Sequence, residues 1–268
     1  MMESRIIKVM GIVNINDDSY YSLSRAVKGD DFIKRTDKLI VEGADIIDIG
    51  ACSTRPGAVM IDEETEWERL RPIVEIFRKR YTGVQLSVDT FRSEIVERVF
   101  EIAGRFMVND ISAGHEDCDM LEVVGRYNLQ YVAMHRLGDC RTMHDNYGYD
   151  DITDDVIEYF KNFDKEAQLH NVSDYIIDPG FGFSKSIEDN YRLLANLSRL
   201  KCLNKPILVG ISRKSMIYNS LGITPEESLC ATSALHLQCL MEGADILRVH
   251  DVLQARQCIE LYHRIRVK

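Results

Sequence analysis

The first thing this chain lacks is a basic excess: its 268 residues hold 33 Lys and Arg against 43 Asp and Glu, a formal net charge of −10. Neutralising a phosphate backbone needs a basic stripe, and none is visible, so the balance argues weakly against a general nucleic-acid surface and no nucleic-acid partner is expected. A small anionic substrate is not excluded, because a few cations focused in a cleft outweigh the net charge locally. Long hydrophobic runs are missing too. The longest uncharged run, 228–241, contains Thr, Ser, His and Gln and is too short to span a bilayer, and residues 1–10 hold no apolar core of signal-peptide length. The seven cysteines, Cys52, Cys118, Cys140, Cys202, Cys230, Cys239 and Cys258, form no CxxC pair and are odd in number, which points to a reduced, cytoplasmic protein without a membrane partner. His115-Glu116 has no second histidine four residues on, so a zincin helix is ruled out.

What is present is an alternation. Short apolar runs at 6–13, 44–49, 84–88, 106–109, 129–134, 175–178, 206–211 and 244–250 are separated by charged stretches of helical spacing at 31–42, 62–80, 93–102, 120–127, 151–170, 187–200, 225–242 and 252–265. Strands apolar on both faces and separated by helices imply a parallel sheet covered by helices. Eight such units at this length predict an α/β fold of the (β/α)8 TIM barrel type. A doubly wound open sheet is the runner-up, but no GxGxxG opens the first helix. No Pro/Gly/Ser-rich linker interrupts the chain, which reads as a single domain. A short repeat supports one architecture throughout: Glu42-Gly43-Ala44-Asp45-Ile46 recurs as Glu242-Gly243-Ala244-Asp245-Ile246, each copy placing Gly past a helix end and Ala-Asp-Ile at a strand start.

Barrel chemistry sits at the C-terminal ends of the strands. Here the apolar runs end in Asn14, in Ala51-Cys52-Ser53-Thr54-Arg55-Pro56-Gly57, in Asp89, in Asn109-Asp110, in Met134-His135, in Asp178, in Ser212-Arg213-Lys214-Ser215, and in Arg248 and His250. The sixth is the most distinctive. Residues 176–185, IIDPGFGFSK, read as a buried strand stopped at Asp178 by Pro179, then a loop with two glycines and a cation, Lys185. Asp178 either caps its own turn or awaits the N–H groups of a ligand. Asp89, Asn109 and Asp178 supply acceptors suited to a flat heterocycle with amidine-like N–H edges. Arg248 and His250, two apart on a strand, share a face and suit an anion, with Arg55 and Thr54 nearby. Asn14 suits Mg²⁺, which takes few protein oxygens. The plain alternatives are Arg248 as a core ion-pair partner and Asp89 as the N-cap of the helix near Ser93.

In these runs the chain closely resembles the dihydropteroate synthase family of pterin-binding barrel enzymes. The matching segments are MGIVN at 10–14, IIDIG and STRPG within 46–57, SVDT at 87–90, and Asn109-Asp110. Met134-His135, DPGFGFSK at 178–185, GISRKS at 210–215 and RVHDV at 248–252 complete the set, in family order and at all eight strand ends. The resemblance implies one pterin-binding (β/α)8 barrel domain over 1–268. It also implies condensation of 6-hydroxymethyl-7,8-dihydropterin diphosphate with 4-aminobenzoate to 7,8-dihydropteroate and diphosphate, in folate biosynthesis. By the same resemblance Asp89, Asn109, Asp178 and Lys214 hold the pterin, while Asn14, Arg248 and His250, with Thr54, hold the diphosphate and its Mg²⁺ cofactor. Arg55, Pro56, Phe183, Ser212 and Lys214 shape the aminobenzoate site, and Lys214, Arg248 and His250 carry the catalysis. Lys214, on a loop, is expected to face solvent without ligand. A homodimer and sulfonamide sensitivity are further implications.

The departures lie in the first loop. Where the family continues Asn-x-Thr-Pro-Asp-Ser-Phe and then Asp-Gly-Gly, this chain has Ile15 to Ser24 with Asp18 and Ser19 matching, Ser22 in place of the second aspartate and neither glycine. Ala51-Cys52 replace the usual Gly-Glu before STRPG. Two other readings therefore stay open: a pterin-binding paralogue with weak or no synthase activity, and a corrinoid-linked methyltetrahydrofolate methyltransferase on the related barrel.

Overall fold

The computed structural model describes residues 5–15, 25–52, 60–139, 142 and 148–266. The eight expected runs form strands β1 (Lys8–Asn14), β2 (Ile46–Gly50), β3 (Gln85–Asp89), β4 (Met107–Asp110), β5 (Gln130–Met134), β6 (Tyr175–Asp178), β7 (Leu208–Val209) and β8 (Ile246–Val249). They are hydrogen-bonded in the order β6-β5-β4-β3-β2-β1-β8-β7, each named pair parallel. A parallel bridge from Ile177 to Ile207 joins the two ends of that order and closes the ring. The TIM-barrel expectation holds.

Helices α1 (Arg25–Val41), α2 (Glu63–Arg80), α3 (Ser93–Ala103), α4 (Met120–Arg126), α5 (Ile152–Leu169), α6 (Ile187–Ala195), α7 (Ser215–Leu221), α8 (Leu229–Glu242) and α9 (Val252–Arg266) wrap the barrel. Their starts are fixed by local chemistry. Asp62 and Asp151 accept the first free amides of α2 and α5, and Ser186 with Asp189 forms a capping box on α6. Several boundaries differ from those expected of the sequence: α1 begins at Arg25 where the stretch from 31 was expected, and β7 shortens from 206–211 to Leu208–Val209. The sixth helical stretch divides into α6 and a 3-10 helix, Leu197–Leu203, at Asn196. An additional helix, α7, follows β7, ended by left-handed Gly222. The helix expected from 225 begins at Leu229.

Alternation along the strands sorts the interior into layers. Val9, Ile47, Ile49, Val88, Val108, Tyr131, Ile177, Val209 and Leu247 belong to the large outer core between sheet and helices. The residues between them point inward. Gln85 Nε2 donates to Gln130 Oε1 at 2.8 Å at the N-terminal end. Above them Met10, Ile46, Met107, Val132, Ile176, Leu208 and Ile246 pack as a separate apolar plug. Two residues further along β2, β4, β6 and β8 come Asp48, Asn109, Asp178 and Arg248, with Ser87 of β3 in register beside Asp48. The inner wall thus changes from apolar to charged in one layer, toward the end where the loops open.

The five-residue repeat has a physical basis. Gly43 and Gly243 both have φ above 100°, and each following aspartate reaches the neighbouring strand: Asp45 Oδ2 accepts the Val9 amide at 2.7 Å and Asp245 Oδ2 the Ile207 amide at 2.9 Å. Arg256 pairs with Asp45 and Arg5 with Asp245 on the same pattern.

Candidate active site

The polar layer is a connected network crossing the barrel. Asp48, fully buried, accepts from Ser87 Oγ at 2.6 Å, from Asn109 Nδ2 at 3.0 Å and from Arg248 Nε at 2.7 Å. Arg248 Nη2 donates to Asp89 Oδ2 at 2.7 Å. Asp48 is not among the residues singled out from the sequence, although a carboxylate at an inward position of an apolar strand demands such partners. The network orients the others. Asn109 gives its amide N–H to Asp48, which leaves its carbonyl oxygen as the acceptor it presents. Asp89 does not cap α3, because the Ser93 amide is taken by Asp117 Oδ2 at 2.7 Å. Arg248 is a core ion-pair partner, as the plain alternative had it, and it remains half-buried rather than sealed, with N–H groups to spare beyond the two carboxylates.

Asp178 caps its own turn, as one of its two readings had it, and does so with a single oxygen. One oxygen accepts the Gly180 amide at 2.8 Å, and the other stands beside the position a Gly210 Cβ would take, 3.9 Å away, with Arg248 Cβ at the same distance from that position. The oxygen not used by the turn therefore faces the barrel interior. Burial raises the Asp178 carboxyl above the usual carboxylate range, against the opposing pull of Lys214. Burial likewise pushes Asp89 up to about 7 although Arg248 pulls the other way. Such displaced carboxyls in a cleft are a mark of functional sites.

Lys214 does not face solvent as expected. It is half-buried, its ammonium donates to the Phe181 carbonyl, and it stands 4.5 Å from the centre of the Phe183 ring. Burial lowers it to about 8, offset in part by Asp178. Ser212 is buried, with its Oγ 3.2 Å from both the backbone amide and Nδ1 of His250, so these two join the loops after β7 and β8. His250 lies just past the strand, whereas Arg248 is held by Asp48 and Asp89 within it. Asn14 ends β1 with an exposed side chain, opposite Gly50, which in turn pairs with Asp89. A neutral oxygen donor at the rim fits a Mg²⁺ that keeps most of its waters. Thr54, Arg55 and Pro56, like the first-loop departures at 16–24, lie outside the described residues.

Several residues not singled out from the sequence complete the mouth. Phe91, Ile111 and Met134 form an apolar patch with Cys52, Met60 and Phe183 packed on it. Cys52 Sγ lies 4.0 Å from Met60 Sδ, and burial pushes its thiol up, which fits packing and not nucleophilic use. Arg92 pairs with the buried Glu66, stacks on Phe91 and donates to the Ile61 carbonyl at 2.6 Å. It thereby ties the start of α3 to α2 and to Ile61.

A closed parallel barrel with carboxylates, an amide and two cations at the strand ends has the architecture of a barrel enzyme with its polar site at the C-terminal face. The family model described as "Pterin binding enzyme" matches residues 10–250, and the chain belongs to that family. It is 36% identical over 255 residues to the dihydropteroate synthase of Escherichia coli K12, covering 94% of this chain and 89% of the other, and 36% identical over 250 residues to that of Clostridium beijerinckii, covering 92% and 89%. Among solved structures it resembles dihydropteroate synthase from Clostridium difficile crystallised with pteroic acid, with a TM-score of 0.91, 32% identity and full coverage of both chains. The Xanthomonas albilineans enzyme in complex with 7,8-dihydropteroate gives a TM-score of 0.85 at 32% identity over 98% of this chain and 95% of the other.

Proposed function

We propose that this protein is a dihydropteroate synthase, a transferase that joins 6-hydroxymethyl-7,8-dihydropterin diphosphate to 4-aminobenzoate and releases diphosphate. The observation that carries the reading is the Asp48–Asn109–Asp89–Arg248 network beside Asp178. It presents acceptors for pterin N–H groups at the base of the cup and cations, Arg248 and Lys214, at its wall.

In this reading the methylene C–O bond to diphosphate breaks, a C–N bond to the aniline nitrogen forms, and that nitrogen loses a proton to solvent. Positive charge growing on the methylene spreads into the pterin ring, where Asp89 and Asp178 favour it. Arg248, His250 and Lys214 would offset the negative charge that the leaving group gains. Bound Mg²⁺, held through Asn14, would neutralise diphosphate charge as a Lewis acid. A neutral aniline attacks without a strong base, so no Ser-His-Asp or Cys-His set is required. Phe183, Lys214 and Ser212 would shape the aminobenzoate side, to which the family resemblance also assigns Arg55 and Pro56. No helix among the described residues is long and apolar enough to cross a membrane. A cytoplasmic homodimer is part of the proposal; Leu221, Met241, Leu253 and Leu261 on the last three helices are exposed.

The deciding experiment incubates purified protein with pterin diphosphate, 4-aminobenzoate and Mg²⁺ and measures diphosphate and dihydropteroate together. Equal release of both is expected. Tight pterin binding without diphosphate release would replace the synthase with a binding paralogue, and methyl transfer from methyltetrahydrofolate to a corrinoid would replace it with the methyltransferase.

A further inference from the structure

Lys185 takes no part in the chemistry above, yet it is among the most buried cations of the described residues, 7% exposed. Its ammonium donates to the Gly180 carbonyl at 3.0 Å, the Phe183 carbonyl at 3.0 Å and His135 Nδ1 at 2.9 Å, with the His135 carbonyl at 3.4 Å. All four acceptors are neutral. Among the described residues no carboxylate forms an ion pair with it; Asp178 and Asp189 act on it only through space. Burial lowers this ammonium to about 7, offset in part by Asp178, and placing it among neutral groups costs desolvation that some gain must offset.

The loop explains the gain. Gly180, Gly182 and Ser184 have φ of 70°, 81° and 53°, so every second residue is left-handed. In this winding the loop's carbonyls are shared between two ammoniums: those of residues 180 and 183 go to Lys185, that of Phe181 to Lys214. The substitutions the loop admits are narrow. A Cβ on Gly180 would stand 1.9 Å from the His135 carbonyl oxygen and one on Gly182 3.1 Å from Lys214 Cδ. The Phe183 ring, whose own carbonyl is held by Lys185, lies against the Lys214 ammonium.

We propose that Lys185 is a positioning residue: its ammonium is the internal template on which the loop 179–184 winds, and through that loop it fixes where Lys214 and Phe183 stand. This deepens the synthase reading, since Lys214 and Phe183 matter as parts of that site. The groups acting electrostatically on Lys214 are Asp178, Arg248 and Asp89, and Lys214 itself acts on Lys185.

The test follows the Lys214 ammonium by NMR in full-length protein with 13Cε-labelled lysine, assigned with Lys214→Arg. In wild type its midpoint is expected near 8. In Lys185→Met the unwound loop releases Lys214 toward solvent, the midpoint rises by one unit or more, and kcat falls tenfold or more. Lys185→Gln, which keeps N–H donors, serves if the Met variant does not fold, with a shift of the same sign. An unmoved Lys214 midpoint in either folded variant overturns the inference. So does a wild-type Lys185 ammonium whose protons exchange as fast as those of a surface lysine, a measurement that needs no variant. Only the kinetic arm depends on the synthase reading; a wild type that releases no diphosphate would sink that reading and leave this inference to the titration.

Discussion

Asn109 on β4 donates its side-chain amide to Asp48 on β2 at 3.0 Å, spanning the barrel past β3, which lies between them. The same carboxylate holds Arg248 from β8, so one residue ties together three strands that are not neighbours. Asp48→Ala leaves the half-buried Arg248 guanidinium with only Asp89 of its two carboxylate partners. Loss of one partner of a buried pair costs roughly 3–5 kcal/mol. Thermal unfolding is expected to fall by about 6 °C or more, and a shift within about 2 °C would contradict the role assigned to Asp48.

Pterin binding should show an acid limb well above the ordinary carboxylate range. Burial raises both Asp89 and Asp178, Asp89 to about 7, and the N–H edge of a pterin requires their unprotonated oxygens. Affinity is therefore full above about pH 7 and falls as pH drops, by roughly tenfold per unit where one group dominates. For folding the sign is reversed: a carboxyl with raised folded pKa stabilises most below its unfolded pKa and loses that contribution as pH rises through about 7. Isothermal titration with a pterin between pH 5 and 8, on wild type and Asp89→Asn, checks this; an equally steep limb in the variant would remove Asp89 as its origin.

Lys214→Ala should lose roughly 100-fold or more in kcat, as removal of a preorganised charge-stabilising donor does. The fold should survive, because the ammonium contacts a loop carbonyl and a ring face and not a buried carboxylate. Circular dichroism together with steady-state kinetics separates these outcomes. An unfolded variant or unchanged turnover counts against the assignment.

Two glycines with similar left-handed backbone offer a controlled comparison. A Cβ added at Gly222 (φ 63°) would meet nothing within 4 Å, whereas one added at Gly180 (φ 70°) would be driven into the His135 carbonyl. Gly222→Ala should cost about 1 kcal/mol of conformational strain and Gly180→Ala roughly 3 kcal/mol or more. Equal losses in denaturant unfolding would show that the loop 179–184 shifts freely.

Chelation tests the Asn14 proposal. With EDTA, diphosphate release should stop while binding of a pterin lacking the diphosphate is unaffected, and Asn14→Ala should raise the Mg²⁺ concentration needed for half-maximal turnover about tenfold or more. Turnover indifferent to chelation would remove the metal from the proposal.

The barrel was legible because its evidence is periodic: apolar runs of strand length alternate with amphipathic ones, and that spacing survives errors at each end. Residues such as Asp89, Asn109, Asp178 and Arg248 were visible for a related reason, standing as polar stops to apolar runs. Asp48 was not, because it lies inside a run, Ile46-Ile47-Asp48-Ile49, and only the parity of the strand reveals that it points inward. Lys214 was misjudged in exposure because its burial depends on a carbonyl 33 positions away. Glu66 and Arg92 escaped notice since a helix glutamate and a loop arginine resemble any solvated pair until packing removes the water.

The apolar plug of Met10, Ile46, Met107, Val132, Ile176, Leu208 and Ile246 makes the barrel a cup with a single door. Whatever occupies the charged layer directly above that plug must arrive before anything seated nearer the rim, and must depart after it. For two ligands stacked in such a cup, the expected order of addition is inner before outer. Inhibitors of the outer seat should consequently trap the inner occupant instead of competing with it.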